Sequence, residues 1–422
     1  MCLEGLSEGF HVGVNRPEEA GVVMSAPDIS DLERVAVREV LESSALSMGG
    51  RIAAFEDAFA EYIGARAAVA VSSGTAGLHL AVILAGVREG DLVVTTPFSF
   101  IASANVVLYE RATPIFIDVE PGTRNMDMGI LDALVADFES GGSAITRWLP
   151  PSFRAAGDQV FQNEKLRAAI PVHVFGQPAD MTSLEAVRRR HQFFVIEDAC
   201  EAIGAEHRGD KTGIFGDVGV FGFYPNKQLT TGEGGMVVTD REAIADMLRS
   251  LRNQGRDATD PWLHHRRLGY NYRLDEMSCA LGLAQLRRID ELLRRRERVA
   301  SWYMERLEHV PELSVPDVSP DTSRMSWFVY VVRVGEGIDR NAVITELAEV
   351  GIPSRAYFTP IHLQPFYVER FGYRRGDFPV AEALGATCLA LPFSGVMSEE
   401  QVDHVCRELA RALQRSGSSD VP

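Results

Sequence analysis

A lysine, an aspartate and a turn of small residues, each at the end of an apolar run, are the parts of this chain whose types and order can do chemistry. Lys227 closes the run Val220-Phe221-Gly222-Phe223-Tyr224-Pro225-Asn226-Lys227 and is followed by Thr230-Thr231-Gly232-Glu233-Gly234-Gly235. Asp198 lies near the end of Phe193-Phe194-Val195-Ile196-Glu197-Asp198-Ala199, and further upstream Val71-Ser72-Ser73-Gly74-Thr75-Ala76-Gly77 joins an expected strand to an expected helix. Taken singly, each has an ordinary reading: a lysine after a strand is usually just an exposed loop residue. In the order turn, aspartate, lysine they meet the needs of pyridoxal 5′-phosphate. A lysine amine forms the Schiff base, an aspartate pairs with the pyridinium nitrogen, and a helix N-terminus receives the phosphate.

Residues so far apart in sequence need a scaffold, and the apolar pattern supplies one. Strands are expected near Ala67–Val71, Leu92–Thr96, Ile115–Val119, Ala168–Val174, Phe193–Asp198, Val218–Tyr224 and Gly235–Thr239, with crossover helices such as Ala76–Ala85 and Ser183–Arg190. Several of these runs are continuously apolar, which suits strands buried on both faces of a mostly parallel sheet in an α/β fold. Ligands of such sheets bind beyond the carboxyl ends of the strands. Asp198, the Ser73-Gly74-Thr75 turn and Lys227 all fall at that edge. After about Arg256 the texture changes. Leu274 to Leu307 is one long helical pattern, and a strand near Phe328–Val334 and a helix over Arg340–Val350 suggest a small α+β unit. The expected division is a large cofactor-binding domain over 1–256 and a small C-terminal domain over 257–422. Gly141 to Gln159, with Gly141-Gly142-Ser143, Pro150-Pro151 and no clear period, reads as an inserted surface loop.

The bulk numbers agree with a soluble enzyme. In 422 residues, 46% are hydrophobic and 24% charged, ordinary values for a globular chain with a sizeable core. The formal net charge of −17 argues against a general nucleic-acid or anionic-membrane surface, although a local arginine cluster can still hold an anionic substrate. Cys2, Cys200, Cys279, Cys388 and Cys406 are scattered and read as reduced thiols, with no metal-binding spacing. Cys200, beside Asp198, reads as a packing residue. With no basic apolar run at the start and no membrane-length stretch, the expected location is cytoplasmic. The run Arg294-Arg295-Arg296-Glu297-Arg298 reads as a solvated helix face, with Asp290 and Glu291 four residues before Arg294 and Arg295.

These residues resemble the DegT/DnrJ/EryC1/StrS group of PLP-dependent sugar aminotransferases, of the aspartate-aminotransferase fold type I. The resemblance runs from Leu46-Ser47-Met48-Gly49-Gly50 through Ser73-Gly74-Thr75, Pro97-Phe98-Ser99-Phe100, Pro171-Val172-His173 and Glu197-Asp198-Ala199. It continues to Phe223-Tyr224-Pro225-Asn226-Lys227, Gly232-Glu233-Gly234-Gly235 and Gly269-Tyr270-Asn271-Tyr272-Arg273. It implies a seven-stranded large domain, with Lys227 as the Schiff-base lysine and Asp198 as the pyridinium partner. Gly74 and Thr75 are then phosphate ligands, Phe98 the aromatic stacked on the cofactor ring, and Glu201 a residue beside it. Asn271 is implied to reach the phosphate of a neighbouring subunit, making the working unit a homodimer with shared sites. Relatives often carry a serine five residues before the lysine, where this chain has Gly222.

The string Asp198-Ala199-Cys200-Glu201-Ala202 is similar to perosamine-synthase-like members. The resemblance thus implies a nucleotide-linked 4-keto-6-deoxyhexose as amino acceptor and L-glutamate as donor. Arg252, Arg256 and Arg273, in an arginine- and histidine-rich stretch of an acidic chain, are candidates for a sugar-nucleotide diphosphate, the alternative being pairing with structural carboxylates. His362 matches a family segment near the sugar. Two other functions stay open: an aminotransferase acting on a cyclitol ketone or 3-keto sugar, and a catalytically retired PLP-binding sensor. Retention of both Lys227 and Asp198 argues against the retired sensor.

Overall fold

The computed structural model describes residues 21–154, 165–257, 261 and 263–417. Its strands, in chain order, are β1 (Ala67–Val71), β2 (Leu92–Thr95), β3 (Thr113–Phe116), β4 (Leu166–Ala169), β5 (Phe194–Asp198), β6 (Glu206–His207) and β7 (Asp210–Lys211). They continue with β8 (Val218–Gly222), β9 (Gly235–Thr239), β10 (Leu313–Ser314), β11 (Thr322–Arg324), β12 (Tyr330–Val334), β13 (Arg355–Ala356) and β14 (Cys388–Leu391). Seven of them form the main sheet, in the order β1-β9-β8-β5-β4-β2-β3. Each overlaps one of the seven expected strands, although β3 and β4 begin and end earlier than the expected Ile115–Val119 and Ala168–Val174. All neighbours run parallel except β9, which is antiparallel to both β1 and β8. The centre of the sheet is buried on both faces, which is why its strands read as unbroken apolar runs.

This order puts the chemistry on one edge. β1, β5 and β8 end at the same side of the sheet, so the turn after β1, Asp198 at the end of β5 and the segment after β8 lie together. The helix Gly74–Leu84 starts directly at the β1 turn, capped by Ser73, whose hydroxyl accepts the Ala76 N–H at 3.0 Å. Close packing of this turn requires glycine. A Cβ on Gly235, the first residue of β9, would sit 2.6 Å from the Ser73 carbonyl carbon.

The long helical pattern of 274–307 is two helices, Glu276–Arg287 and Ile289–Leu307, parted at Arg288. Arg288 leaves the helical register there and donates to Asp28 at 2.7 Å. The second helix passes from one core to another. Ile289, Leu292 and Leu293 pack with Phe55, Phe59 and Phe221 beside the main sheet, whereas Val299, Tyr303 and Leu307 pack against β12 and β14. The hydrophobic packing therefore hands over from one core to the other inside this helix. The second core belongs to a four-stranded antiparallel sheet, β10-β12-β14-β13.

Part of the 141–159 stretch carries local structure and a buried anchor. Residues Gly142–Trp148 form a 3₁₀ turn and Pro151–Arg154 a short helix. Leu149 is buried in the core under β2 to β4, and Phe153 packs edge-on against Phe371. Residues 155–159 lie outside the described residues. Apolar anchors spaced among glycines and prolines mask any period in the sequence. Among the described residues no helix is long and apolar enough to cross a membrane.

Arg252 is spent on the scaffold. Its guanidinium is buried, pairs with buried Glu56 and donates to the Ala70 carbonyl at 2.6 Å, while Glu56 also accepts the Ala70 N–H at 2.9 Å. The pair bolts the helix Gly50–Ile63 to β1. Breaking it leaves one buried charge without its partner, so Arg252→Met is expected to destabilise the fold by about 3–5 kcal/mol. Denaturant unfolding checks this, and a loss below about 1 kcal/mol would show that Glu56 finds another partner or takes up a proton at little cost.

Candidate active site

One cavity of about 500 Å³ opens at the carboxyl edge of the main sheet. Gly74 and Thr75, Asp198 and Glu201, and Lys227 all line it. Its far wall comes from elsewhere in the chain: Phe328, just before β12, and Tyr357 and Phe358, just after β13.

At the floor, Asp198 is buried. Its Oδ1 accepts the Cys200 N–H at 3.2 Å, and its backbone is fixed on both sides, N–H to Pro171 O at 2.9 Å and carbonyl from His173 N–H at 3.1 Å. Burial pushes its pKa above the usual carboxylate range, against the lowering by the Cys200 hydrogen bonds and the Lys227 charge. A carboxylate held in this way is suited to a cationic N–H donor placed beside it.

Glu201 is also buried, and burial likewise raises its pKa, with Lys227 acting in the opposite direction. Its Oε2 accepts the Phe175 N–H at 2.8 Å. Phe175 sits in the left-handed region at φ 59°, a costly conformation for an aromatic residue that this hydrogen bond helps to hold.

Lys227 follows β8 in an irregular segment turned by its own N–H to Tyr224 O at 2.9 Å. Its Nζ lies 3.6 Å from Glu201 Oε1 and 3.7 Å from the centre of the Phe328 ring. The amine is thus in the cavity, between a carboxylate and an aromatic face. Opposite it, the first turn of the helix Gly74–Leu84 leaves the N–H groups of Gly74 and Thr75 without intrahelical acceptors. A Cβ at Gly74 would lie 2.7 Å from Cys200 Sγ, so glycine keeps this approach open. The set fits pyridoxal phosphate: an amine, a buried acid across from it, and a capped helix N-terminus with glycine clearance for a phosphate.

Other expected residues lie elsewhere. Phe98 is fully buried, packed against Phe175 and Phe358 behind the cavity wall. Phe100, two residues on in the same motif, lines the cavity with 62% of its surface exposed. His362 is buried on a 3₁₀ turn, bonded through Nε2 to Glu382 at 3.0 Å and packed against Phe378. Burial lowers its pKa, so the neutral ring donates Nε2–H to Glu382 as a structural hydrogen bond. Arg252, bound to Glu56, is also outside the cavity. Arg256 and Arg273 both donate to Asn253 Oδ1, at 3.0 and 3.1 Å. Asn271 pairs with Asn253 through the backbone and is exposed, away from the cavity of its own chain. Nothing in the sequence marks Phe328, Tyr357 and Phe358 as cavity residues. Their motif signal is that of an ordinary strand edge.

The comparisons with known proteins agree with this geometry. A family model for the DegT/DnrJ/EryC1/StrS aminotransferases matches residues 27–410. The chain is 38% identical to GDP-perosamine synthase of Caulobacter vibrioides, over 93% of this chain and 98% of that one. It is 36% identical to the spore coat polysaccharide biosynthesis protein SpsC of Bacillus subtilis, over 90% and 94% of the two chains. The crystal structure of a DegT DnrJ EryC1 StrS aminotransferase from Brucella abortus has a TM-score of 0.79 at 30% identity, covering 91% of this chain and 95% of that one. The chain belongs to the DegT/DnrJ/EryC1/StrS aminotransferase family, whose chemistry is pyridoxal phosphate-dependent amino transfer to sugars.

Proposed function

We propose that this protein moves an amino group from L-glutamate to the ketone of a nucleotide-linked 4-keto-6-deoxyhexose. The observation that carries the catalytic part is the meeting of Lys227, Asp198 and the Gly74–Leu84 helix N-terminus around one cavity. Support for the acceptor comes from the similarity to a GDP-perosamine synthase and to a polysaccharide biosynthesis protein.

Pyridoxal phosphate, when bound, supplies a ring that withdraws electrons from the substrate's amino-bearing carbon. Lys227 would hold the group covalently through Nζ. Once the donor's amine displaces it, the freed Nζ would carry the proton off that carbon and deliver it on the cofactor side. Asp198 would keep the ring nitrogen protonated, its buried charge offset by that N–H. Gly74 and Thr75 would take the phosphate through their N–H groups, helped by the Thr75 hydroxyl. Phe100 would provide the aromatic face that Phe98, buried behind the wall, does not. Phe328, Tyr357 and Phe358 would close the far side against water. Arg256 and Arg273, oriented by Asn253, are the arginines of their segment we assign to a diphosphate.

The working unit in this reading is a homodimer. Asn271 is exposed on its own chain, and we assign it to the phosphate of a second copy.

Three outcomes follow. Borohydride treatment of the wild type should trap a cofactor adduct at Lys227, and Lys227→Ala should bind the cofactor without any trapped adduct and lose transamination. An adduct of unchanged yield in that variant removes Lys227 from the role. Asp198→Asn should stay folded but lose turnover on the order of a hundredfold, because an amide cannot hold a ring proton. Near-normal turnover would leave Asp198 a packing residue. Asn271→Ala should weaken cofactor retention by about one to two orders of magnitude, the loss of one charge-assisted hydrogen bond. Mixing Asn271→Ala with Lys227→Ala chains should then restore activity, since one site of each hybrid dimer is intact. Proven hybrids without recovery would refute shared sites.

A further inference from the structure

The run Arg294-Arg295-Arg296, which reads as a solvated helix face, hides one inward residue. Arg294 is exposed and Arg295 pairs with Asp28 and Glu291, as a surface helix predicts. Arg296 is 4% exposed. Its guanidinium bonds four backbone carbonyls and no carboxylate: Nη2 donates to Lys227 O at 2.9 Å and Asn226 O at 3.1 Å, and Nη1 to Phe328 O at 3.1 Å and Trp327 O at 3.4 Å. The Phe393 ring lies against it, its centre 5.7 Å from the guanidinium carbon. Burial lowers its pKa to about 10, which still leaves it charged at neutral pH.

The two carbonyl pairs belong to the two halves of one contact. Asn226 and Lys227 carry the amine, and Trp327 and Phe328 carry the ring that it faces at 3.7 Å. The neighbouring Gln228 repeats the tie, its Nε2 donating to Ser326 O at 3.0 Å and to Glu201 O at 2.6 Å. The lysine segment lies in neither strand nor helix, so these side-chain bonds, and not a ladder, fix where it stands relative to the small sheet.

We infer that Arg296 is a positioning residue for Lys227, a planar fork that fixes the lysine backbone against the Trp327-Phe328 segment and so sets the distance from Nζ to the Phe328 ring. Guanidinium geometry is required, because one planar group reaches both carbonyl pairs at once, whereas a lysine ammonium is a point donor on a flexible stem. The inference rests on the reading of Lys227 as the cofactor lysine.

The test uses the full-length holoenzyme as wild type, Arg296→Lys, Arg296→Met and, as a control on the same helix, Arg295→Gln. Three readouts need no knowledge of the sugar: thermal stability, the yield of the borohydride-trapped adduct, and the pH midpoint of the bound cofactor's visible absorbance. Arg296→Lys is expected to fold and give the adduct, with the absorbance midpoint moved by about half a pH unit or more as the nitrogen of Lys227 loses its fixed aromatic neighbour. Reattachment of pyridoxal phosphate to the stripped variant should slow by about tenfold. Arg295→Gln should match the wild type in all of these. A folded Arg296→Lys or Arg296→Met with wild-type midpoint and attachment rate, changed only in thermal stability, would overturn the inference. So would failure of both variants to fold, which would make Arg296 a scaffold residue. If the reading of Lys227 itself is wrong, the wild type will give no adduct, an outcome separate from these.

Discussion

A carboxylate buried in an apolar sheet must be satisfied or lose its charge, and β5 ends in two of them. Strand alternation sends Glu197 to one face and Asp198 to the other. Glu197 is compensated within the protein: it accepts the Gly213 and Gly216 N–H groups at 2.8 and 2.6 Å and faces His173 Nε2 at 3.1 Å. His173 Nδ1 accepts the Ala179 N–H at 3.0 Å, so its proton sits on Nε2 and points at Glu197. Asp198 has a single backbone donor at its carboxyl and opens into the cavity. One acid of the pair is therefore satisfied within the protein, and its neighbour faces the cavity. The rest of the site follows from where that second acid stands. The sheet order brings the β1 turn and the β8 exit to it, and the His173–Glu197 pair holds the strand end rigid behind it.

Burial likewise decides which parts of the site are legible in the sequence. Lys227, Asp198, Gly74 and Thr75 are legible because each carries a local signature: a chemical group at the end of an apolar run, or a small-residue turn before a helix. The seven strands are legible for the same reason, since burial on both faces writes itself as a continuous apolar run. Burial of polar residues leaves no such mark. Arg252 and Arg296 look like surface arginines among other arginines, yet one is paired with Glu56 and the other bonded to carbonyls. His362 looks like a site histidine but is held by Glu382 in an aromatic pocket. Phe98 and Phe100 differ by two positions in one motif, and only the path of the irregular backbone decides which faces the cavity. The break at Arg288 is hidden as well, where its side chain bonds Asp28, far away in sequence.

The cavity is closed by residues from both sheets, and that couples the small sheet to the amine. Phe328 enters the wall from the segment before β12, Tyr357 and Phe358 from the segment after β13, and Phe358 stacks on Phe175 at 5.3 Å. Phe175 in turn gives its N–H to Glu201. A shift of the small sheet would therefore move the aromatic wall and the Glu201 carboxylate together. Arg296 sits at this junction, on the helix that passes from one core to the other.

The proposed phosphate seat is made largely of backbone. Gly235 is required there by packing, since its Cβ would lie 2.6–2.7 Å from the Ser73 and Gly74 backbone, whereas a Cβ at Gly74 would press on Cys200 Sγ at 2.7 Å. Gly222, paired with Gly235 across β8 and β9, is different. A Cβ at Gly222 would meet Cys200 Cβ and Sγ at 3.5 Å, which is ordinary contact. With glycine at 222, the Thr75 hydroxyl is left as the side-chain donor we assign to this seat from the same chain. In the reading above, the missing donor shifts weight to the Gly74 and Thr75 N–H groups and to Asn271 of a second copy. A ligand held partly by another chain binds the dimer better than the monomer, and by linkage the dimer is then stabilised by the ligand to the same degree. On the proposed shared-site dimer, cofactor retention and assembly would become one equilibrium, with Gly222 strengthening the coupling by withholding a side-chain donor from the chain's own phosphate seat.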